Sequence, residues 1–404
     1  MSAPQFPPGT PLPATASVPG VAPAPTPGSA PGPAGSPATS ALPGRVEPRR
    51  RLGGVDVARS IAVLGMLVAH LGTGHDARGG GWGEQWMWIF DGRSSALFAT
   101  LAGVSLALLS RSTAREDRPG WRVLRARIAV RSLLLLGLGL VLQLLGTPVV
   151  VILTIYAVLF LLALPLLRLG NGWLLGLAAL AITLGPVVVH GLRQSFTGGV
   201  QPTVIYLWEG PVVGELVLGY YPAIVWMAYV LVGIVVGRGA LASRRYAAGL
   251  VGVGVVLAAS AYGLGAALAS GERSGPFDPL FWPDVLVSIE PHSDSGLEVT
   301  GNIGVALAVI GVCLLATSIR AGDLALAPLA ALGSMSLTIY SIQLVVIAIL
   351  GENAVYYPES NVPLVALAAA SIAFAWAWRL TLGQGPLERL LKLTSVAATR
   401  GMTR

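Results

Sequence analysis

About ten runs of roughly twenty apolar residues restrict this chain to the folds that a lipid bilayer permits. Inside a bilayer the backbone must satisfy its own polar groups, so only helices and closed barrels can cross. The whole chain is 54% hydrophobic and only 11% charged, as expected for a membrane protein. The sequence therefore predicts an all-α, polytopic integral membrane protein with about ten transmembrane helices. Their predicted limits are 55–72, 86–109, 129–146, 149–167, 172–190, 212–236, 247–269, 301–319, 326–350 and 363–380.

Basic residues predict the orientation of these helices. If the N-terminus is cytoplasmic, the inner segments hold most of the arginines, including Arg49–Arg51 and the cluster from Arg111 to Arg127. The outer loops then hold only Arg78, Arg193 and Arg273. The positive-inside rule therefore favours a protein with both termini in the cytoplasm, as does an even number of helices. The outer loop 270–300 is long and acidic, and we expect it to cap a site or to bind an acceptor.

The N-terminal segment differs sharply from the rest of the chain. Residues 1–44 contain thirteen prolines and no charged side chain. Such a segment cannot bury a core, and it has no basic region followed by an apolar region, so we expect a disordered tail rather than a signal peptide. The predicted organisation is a disordered cytoplasmic tail over 1–48, a transmembrane domain over 49–395 and a short cytoplasmic tail over 396–404. The single cysteine, Cys313, excludes an intramolecular disulfide.

Ionisable residues occur within the first two predicted helices. They are Asp56, Arg59 and His70 in the first helix, and Asp91 and Arg93 in the second. Charges inside a bilayer cost a few kcal/mol each, so they indicate a functional site. Arg59 and His70 are eleven residues apart, which places them on one helix face, about 16 Å from each other along the axis. If the two helices form a hairpin, His70 and Asp91 lie at a similar depth.

Two histidines are candidates for a general base. His70 lies near the outer end of the first helix and His75 lies just beyond it, and an imidazole titrates close to neutral pH. Asp91 would orient the imidazole and stabilise its cationic form. The alternatives are that His70 is a packed helix residue and that His75 is only solvated. His190 and His292 fall in predicted outer loops and have no predicted role, and the scattered histidines do not indicate a metal site.

Two further groups have both a structural and a functional interpretation. Asp56 and Arg59 either form a local ion pair at the helix end or, with the Arg111–Arg127 cluster, face the phosphates of a donor. Ser336, Tyr340 and Gln343 share one face of a late helix, which must point inward because hydroxyl groups in lipid need partners. They either bond neighbouring helices or line an acceptor pocket.

Several motifs resemble one family of transmembrane acyltransferases. The pattern R-L-x-x-V-D-x-x-R-x-I-A-x-x-G-M over Arg51–Met66 is similar to the catalytic region of heparan-α-glucosaminide N-acetyltransferase and to its bacterial YeiB-type relatives (domain of unknown function 418). The segments FDGRSSALFATLAGVSLAL, LGSMSLTIYSIQ and GQGPLERLLKLT resemble later parts of the same group. Ser60 departs from this pattern, which usually has glycine after the arginine. The O-antigen-type membrane acyltransferases also open with R-x-x-x-L-D-x-x-R.

The resemblance implies a specific reaction. It implies a bundle of ten or eleven helices, acetyl-CoA on the cytoplasmic side, and an amine or hydroxyl acceptor outside. His70 or His75 would match the catalytic histidine, with Asp91 beside it. The donor site would contain Arg51, Asp56, Arg59, Arg93 and Ser94. The sequence shows no counterpart of the family's lumenal N-terminal domain, so heparan sulfate itself is not the expected acceptor.

The sequence therefore predicts an acetyl-CoA-dependent membrane acyltransferase of the plasma membrane. Its expected partners are the lipid bilayer, a small-molecule or glycan acceptor and a second copy in a homodimer, with no nucleic acid and no metal. One alternative is a transporter or flippase in which Arg59, Asp91 and Glu215 relay protons or substrate. Another is a membrane scaffold that presents the proline-rich tail.

Overall fold

The described part of the protein is built from helices. The computed structural model describes residues 52–73, 82–83, 85–113, 117–197, 213–217, 219–268 and 284–402, and within these ranges it contains no β-strand. The predicted tail over 1–48 lies outside them. The helices are α1 (Gly53–Leu71), α2 (Arg93–Ser110), α3 (Arg118–Gln143), α4 (Leu153–Ala163), α5 (Asn171–Thr197), α6 (Val213–Val217), α7 (Ala223–Arg238), α8 (Arg244–Leu268), α9 (Asp284–Val287), α10 (Gly296–Ala316), α11 (Arg320–Ala325), α12 (Ala327–Ser334), α13 (Ser336–Leu350), α14 (Glu352–Tyr356), α15 (Val362–Thr381) and α16 (Pro386–Ala397).

Seven described segments are long and apolar enough to cross a membrane. They are α1, the segment Met87–Ser110 that ends in α2, α3, the part of α5 up to Arg193, α8, α10 and α15. The pair α12 and α13 would make an eighth span, but it is bent by 80°. The all-helical membrane class is thus confirmed for the described residues, whereas ten full spans are not.

Three of the predicted spans differ from simple crossing helices. The predicted fourth and sixth spans correspond to α4 and α7, which are only 11 and 16 residues long. The predicted ninth span is the bent pair α12 and α13, which separates at Met335. Hydropathy counts apolar residues but carries no information about where a helix breaks, so the pattern could not show these differences. The cytoplasmic location of both termini stays a prediction.

Close contacts between glycines hold the central helices together. Gly103 on α2 and Gly233 on α7 face each other, and Gly254 on α8 faces Gly304 on α10. A Cβ atom added to Gly233 would lie 1.9 Å from the carbonyl oxygen of Thr100. Small residues let membrane helices approach until their backbones touch. Most side chains of α1, α2, α7 and α10 are buried, so these four helices lie at the centre of the described bundle.

We expect Gly233→Ala to destabilise the protein by about 1–3 kcal/mol, because the new methyl group must push α7 away from α2. The matched control is Gly249→Ala on α8, where an added Cβ would meet no atom within 4 Å. The measurement is the thermal unfolding midpoint of the two variants in detergent. Equal midpoints for both variants would show that the contact between α2 and α7 is not as tight as described.

The last helix lies against the first part of α3. Arg127 and Arg131 on α3 donate hydrogen bonds to Thr399 (3.0 Å) and Ser395 (3.2 Å), respectively. Glu388 of α16 accepts hydrogen bonds from the main chain of Leu337 and Thr338 at the beginning of α13. Residues 396–402, within the predicted short cytoplasmic tail over 396–404, include the end of α16 and a short 3-10 turn.

Candidate active-site cavity

Helices α1 and α2 run antiparallel and hold charged or polar groups at both ends. At one end Arg59 donates a hydrogen bond of 2.9 Å to the hydroxyl of Ser105. At the other end Gly65 lies against Ser94, and a Cβ atom there would come within 2.2 Å of the Ser94 hydroxyl. The hairpin arrangement predicted from the sequence is therefore present. It brings the end of α1 that carries His70 next to the beginning of α2.

A cavity of about 470 Å³ opens at this second end. His70, Asp91, Ser94 and Tyr340, four of the residues proposed from the sequence, line it together with His292. The other polar or aromatic lining residues are Phe90, Ser95, Tyr220, Tyr221 and Tyr356. The cavity thus combines two imidazoles, a carboxylate and several hydroxyl groups, which is a set that can move protons and bind a polar substrate.

Two tyrosines fix the wall of the cavity that faces α4. The hydroxyl of Tyr340 accepts a hydrogen bond of 3.2 Å from the main-chain N–H of Ile152. The hydroxyl of Tyr156 donates a bond of 3.0 Å to the carbonyl oxygen of Ser95. Both side chains are almost fully buried. These bonds explain why a face with hydroxyl groups on α13 points inward, and they tie α4 and α13 to the beginning of α2.

A turn directly before α10 forms the opposite wall, and its backbone is strained. His292 has a φ of 62° and Asp294 has a φ of 57°, values that residues with a side chain seldom adopt. The carboxylate of Glu298 holds the turn by accepting bonds from the N–H groups of His292 (2.8 Å) and Asp294 (2.7 Å). It also accepts from the hydroxyl of Ser293 (3.0 Å). Strain of this kind persists where the surroundings over-determine it, and it is concentrated at functional sites.

Asp294 anchors the same turn to two other helices. Its carboxylate accepts a hydrogen bond of 3.0 Å from the indole of Trp226 on α7 and contacts Arg193 on α5 at 3.4 Å. Burial raises the pKa of Asp294 well above its usual value, although Arg193 opposes this shift. Arg193 was assigned from the sequence only to an outer segment. In the structure it supports the turn that carries His292.

The imidazole of His292 lies in an aromatic surrounding beside Asp91. Its ring stacks on Trp226 and meets the rings of Tyr220 and Tyr221 edge-on. Burial lowers the pKa of His292, while the charge of Asp91 and a hydrogen bond with the main chain of Tyr220 act in the opposite direction. The Nδ1 atom is buried and has no hydrogen-bond partner among the described residues.

His292 is the main functional candidate that the sequence-based interpretation missed: it was expected to be an outer-loop residue without a role, and the structure places it in a turn that lines the cavity. The signal in the sequence was the pattern S-x-x-E over Ser295–Glu298, which is typical of a helix start. Ser295 does cap α10, since it accepts the N–H of Glu298 at 3.0 Å. The other dismissed histidine, His190, lies within α5 rather than in a loop.

The proposed donor residues do not form one group. Asp56 and Arg59 make an ion pair of 2.6 Å at the end of α1 opposite His70. Arg93 lies at the cavity end, where its guanidinium donates to the hydroxyl of Tyr262 (3.1 Å) and packs over the rings of Trp88 and Tyr262. Ser94 lines the cavity. Arg93 and Ser94 are therefore about 16 Å or more from Arg59, because most of a helix length separates them.

The remaining predicted residues have separate positions. Gln343 is 2% exposed and Ser336 is half-buried, but neither is among the described residues that line the cavity. His75 and Arg51 lie outside the described residues, as does the side chain of Glu215. Within the part of the chain that the structure describes, no cluster of three or more His, Cys, Asp or Glu side chains is arranged to hold a metal ion.

A second cavity, of about 630 Å³, lies near the other end of α2. Arg127, Arg131 and Lys392 line it together with polar groups that include Ser112 and Thr113. It lies between α3 and α16, at the end of α2 that also carries Ser105 and hence Arg59. The end of the protein opposite His70 is therefore basic, as the arginine pattern predicted.

A bundle of apolar, membrane-length helices around a cavity with imidazole, carboxylate and hydroxyl groups defines a membrane protein equipped for proton or group transfer. Residues 51–259 match the family "Heparan-alpha-glucosaminide N-acetyltransferase, catalytic", and residues 288–397 match the family "Protein of unknown function (DUF418)". The first match covers just over half of the chain, and the chain therefore belongs to this family of membrane acetyltransferases. No curated protein matches the sequence significantly.

Both matched regions contribute to the same cavity. His70 and Asp91 belong to the first region, and His292 and Tyr340 belong to the second. The two regions thus build one site rather than two separate modules.

Proposed function

We propose that this protein transfers an acetyl group from acetyl-CoA to an amine or hydroxyl of an acceptor outside the cytoplasm. The observation that supports the proposal most strongly is the meeting of His70, Asp91 and Tyr340 at one cavity in a member of a membrane acetyltransferase family. An imidazole beside a carboxylate is suited to remove the proton of an attacking nucleophile.

The chemistry of the proposed step needs one base close to the acceptor. As the acceptor nitrogen or oxygen forms a bond to the thioester carbonyl carbon, it loses a proton, and we assign that proton to His70. His75 is the alternative base that the sequence leaves open. The C–S bond then breaks, and the thiolate takes the proton from His70, so that coenzyme A leaves as the free thiol. Asp91 stabilises the transient positive charge on the imidazole.

The two ends of the α1–α2 pair suit the two ends of the donor. The phosphates of acetyl-CoA would be bound at the basic end, by Arg59 and by the cations of the second cavity, Arg127, Arg131 and Lys392. Arg59 lies about 16 Å from His70 along α1. The extended pantetheine arm would cover this distance and carry the thioester to His70. Excess arginine at this end supports placing it in the cytoplasm, and the membrane would be the plasma membrane.

We expect Arg59→Ala to weaken the binding of acetyl-CoA by about 10- to 100-fold, because a hydrogen bond to a charged group is worth about 1.5–3 kcal/mol. The measurement is equilibrium binding of labelled acetyl-CoA to the purified protein. The control is Arg93→Ala, which removes a guanidinium at the opposite end of α2. Equal affinities for wild type and Arg59→Ala, at similar yields of folded protein, would remove Arg59 from the donor site.

The direct test of the activity is acetyl transfer by the purified protein. Radiolabelled acetyl-CoA and glucosamine, as a probe amine, are incubated with the protein in detergent, and labelled N-acetylglucosamine is measured. Transfer that depends on the protein supports the proposal. If acetyl-CoA is neither bound nor consumed, the proposal is wrong and the transporter alternative, with Arg59 and Asp91 as a relay, gains support.

A further inference from the structure

The cavity contains two imidazoles, whereas the proposed step assigns a role to only one. His70 enters from α1 and His292 from the turn before α10, and both line the same space with Asp91. An amine acceptor is an ammonium ion at neutral pH, and it must lose two protons before it becomes an amide. A hydroxyl acceptor must lose only one. The second imidazole is therefore relevant to the proposed acetyl transfer, on which this inference rests.

The surroundings of His292 leave one ring nitrogen without a hydrogen-bond partner among the described residues. The imidazole makes a hydrogen bond with the main chain of Tyr220. Its Nδ1 atom is buried and has no partner within the described part of the chain, so the bond to Tyr220 belongs to Nε2. The hydrogen bond of one ring nitrogen fixes which tautomer a histidine adopts. Nε2 then carries the proton, and the lone pair of Nδ1 is unused in a residue that lines the cavity.

The position of this nitrogen is held by several contacts. His292 adopts a left-handed backbone, which Glu298 fixes through the N–H groups on either side of Ser293. Trp226 stacks on one face of the imidazole. A buried polar atom without a partner costs about 1–3 kcal/mol. A packing role alone does not account for a strained turn that holds such an atom at a cavity.

We propose that Nδ1 of His292 accepts the first proton of an ammonium acceptor, before His70 accepts the second. The first transfer converts R–NH₃⁺ to R–NH₂ and His292 to an imidazolium, which the neighbouring carboxylate of Asp91 stabilises. The free amine attacks the thioester carbonyl carbon, the C–N bond forms and the C–S bond breaks. The second proton passes to His70 and then to the departing thiolate. His292 returns its proton to water, so one proton is released for each acetyl group transferred.

The pH dependence of the reaction distinguishes this role from a structural one. The titratable or charged groups around His292 come from several elements. Those that line the cavity with it are His70 on α1, Asp91 before α2, Tyr220 and Tyr221 before α7, Tyr340 on α13 and Tyr356 on α14. Those that hold its turn are Asp294, Glu298 and, through Asp294, Arg193 on α5. His70 is already assigned the second proton and Asp91 stabilises the imidazolium, so the loss of Nδ1 leaves the first proton without its assigned acceptor. As the pH rises, however, the free amine forms without help, and the need for His292 disappears.

The test uses His292→Asn, because asparagine tolerates a positive φ and its amide cannot accept a proton at this pH. With labelled acetyl-CoA and glucosamine, we expect kcat/KM to fall about 10²-fold at a pH about two units below the pKa of the amine, where nearly all of the glucosamine is an ammonium ion. We expect this deficit to shrink steadily as the pH is raised toward the pKa of the amine. The binding of acetyl-CoA should be unchanged. The control is His190→Gln on α5, which should match wild type at every pH.

Three outcomes would overturn the assignment. Full activity of His292→Asn at a pH well below the pKa of the amine excludes the role, and a deficit that does not change with pH indicates a structural role only. The third measurement needs no variant: diethyl pyrocarbonate should modify His292 in the wild-type protein, and glucosamine should slow this modification. If His292 is not modified, Nδ1 is not accessible and the assignment is wrong. If the wild-type protein transfers acetyl groups but these tests fail, the proposed function stands and the role of His292 is wrong. If the wild-type protein transfers no acetyl group, the proposed function and the role of His292 are both wrong.

Discussion

Replacing His70 by alanine is expected to lower acetyl transfer about 10²- to 10⁴-fold, the usual contribution of a general base. The physical reason is that His70 is the imidazole at the cavity end of α1 and lines the same cavity as Asp91 and Ser94. The binding of acetyl-CoA should change little, because the proposed phosphate contacts lie at the other end of the helix. The measurement is kcat with labelled acetyl-CoA and glucosamine, together with equilibrium binding of the donor.

Two further variants define the role of His70. His75→Ala should leave transfer near the wild-type rate if His70 is the base, and the reverse pattern would assign the chemistry to His75. Asp91→Asn should lose less activity than His70→Ala, since Asp91 stabilises the imidazolium without removing the acceptor's proton. Full activity of both histidine variants would rule out base catalysis by either residue.

Glu298→Ala is expected to lower both stability and activity. The substitution leaves the buried N–H groups of His292 and Asp294 without an acceptor, at a cost of about 1–3 kcal/mol for each. Without these two hydrogen bonds, the left-handed backbone of His292 is no longer stabilised by Glu298. Transfer to glucosamine should therefore fall as far as it does in His292→Asn, and the thermal unfolding midpoint should drop.

The control for Glu298 is Ser293→Ala, which removes only one hydroxyl bond of 3.0 Å to the same carboxylate. A loss of about 0.5–1.5 kcal/mol is expected there, with most of the activity retained. Glu298→Gln keeps one acceptor oxygen, but its amide N–H₂ group faces a second N–H donor. Its loss of stability should therefore lie between those of Ser293→Ala and Glu298→Ala. Wild-type stability in Glu298→Ala would contradict the view that this carboxylate holds the turn.

The sequence was sufficient to predict the class of fold and one wall of the cavity. Apolar runs of membrane length predicted the helices, and the spacing of His70 and Asp91 predicted that a hairpin would bring them to one depth. The same reasoning located Tyr340 on an inward face. Each of these predictions depends on local periodicity, which is readable in a single segment of the chain.

The rest of the site depends on contacts between distant segments. His292 is more than 200 residues from His70, and its position depends on Glu298, Trp226 and a left-handed backbone that no periodic pattern predicts. The grouping of Arg93 with Arg59 failed for a related reason. The sequence interpretation grouped the charges near the beginnings of both helices. In an antiparallel pair these two beginnings lie at opposite ends, about a helix length apart. The break between α12 and α13 likewise lies in an uninterrupted apolar run.

In the proposed reaction an acetyl group passes from a donor on the basic face of the protein to an acceptor on the face that carries the His70 cavity. The most direct measurement uses sealed vesicles that contain the purified protein in one known orientation. Labelled acetyl-CoA is supplied only on the face that carries Arg125, an exposed residue of α3, and glucosamine only on the opposite face. We predict labelled N-acetylglucosamine in the glucosamine compartment and none with His70→Ala. Transfer only when both compounds share one compartment would contradict transfer across the membrane, and no transfer in any arrangement would contradict the enzymatic function itself.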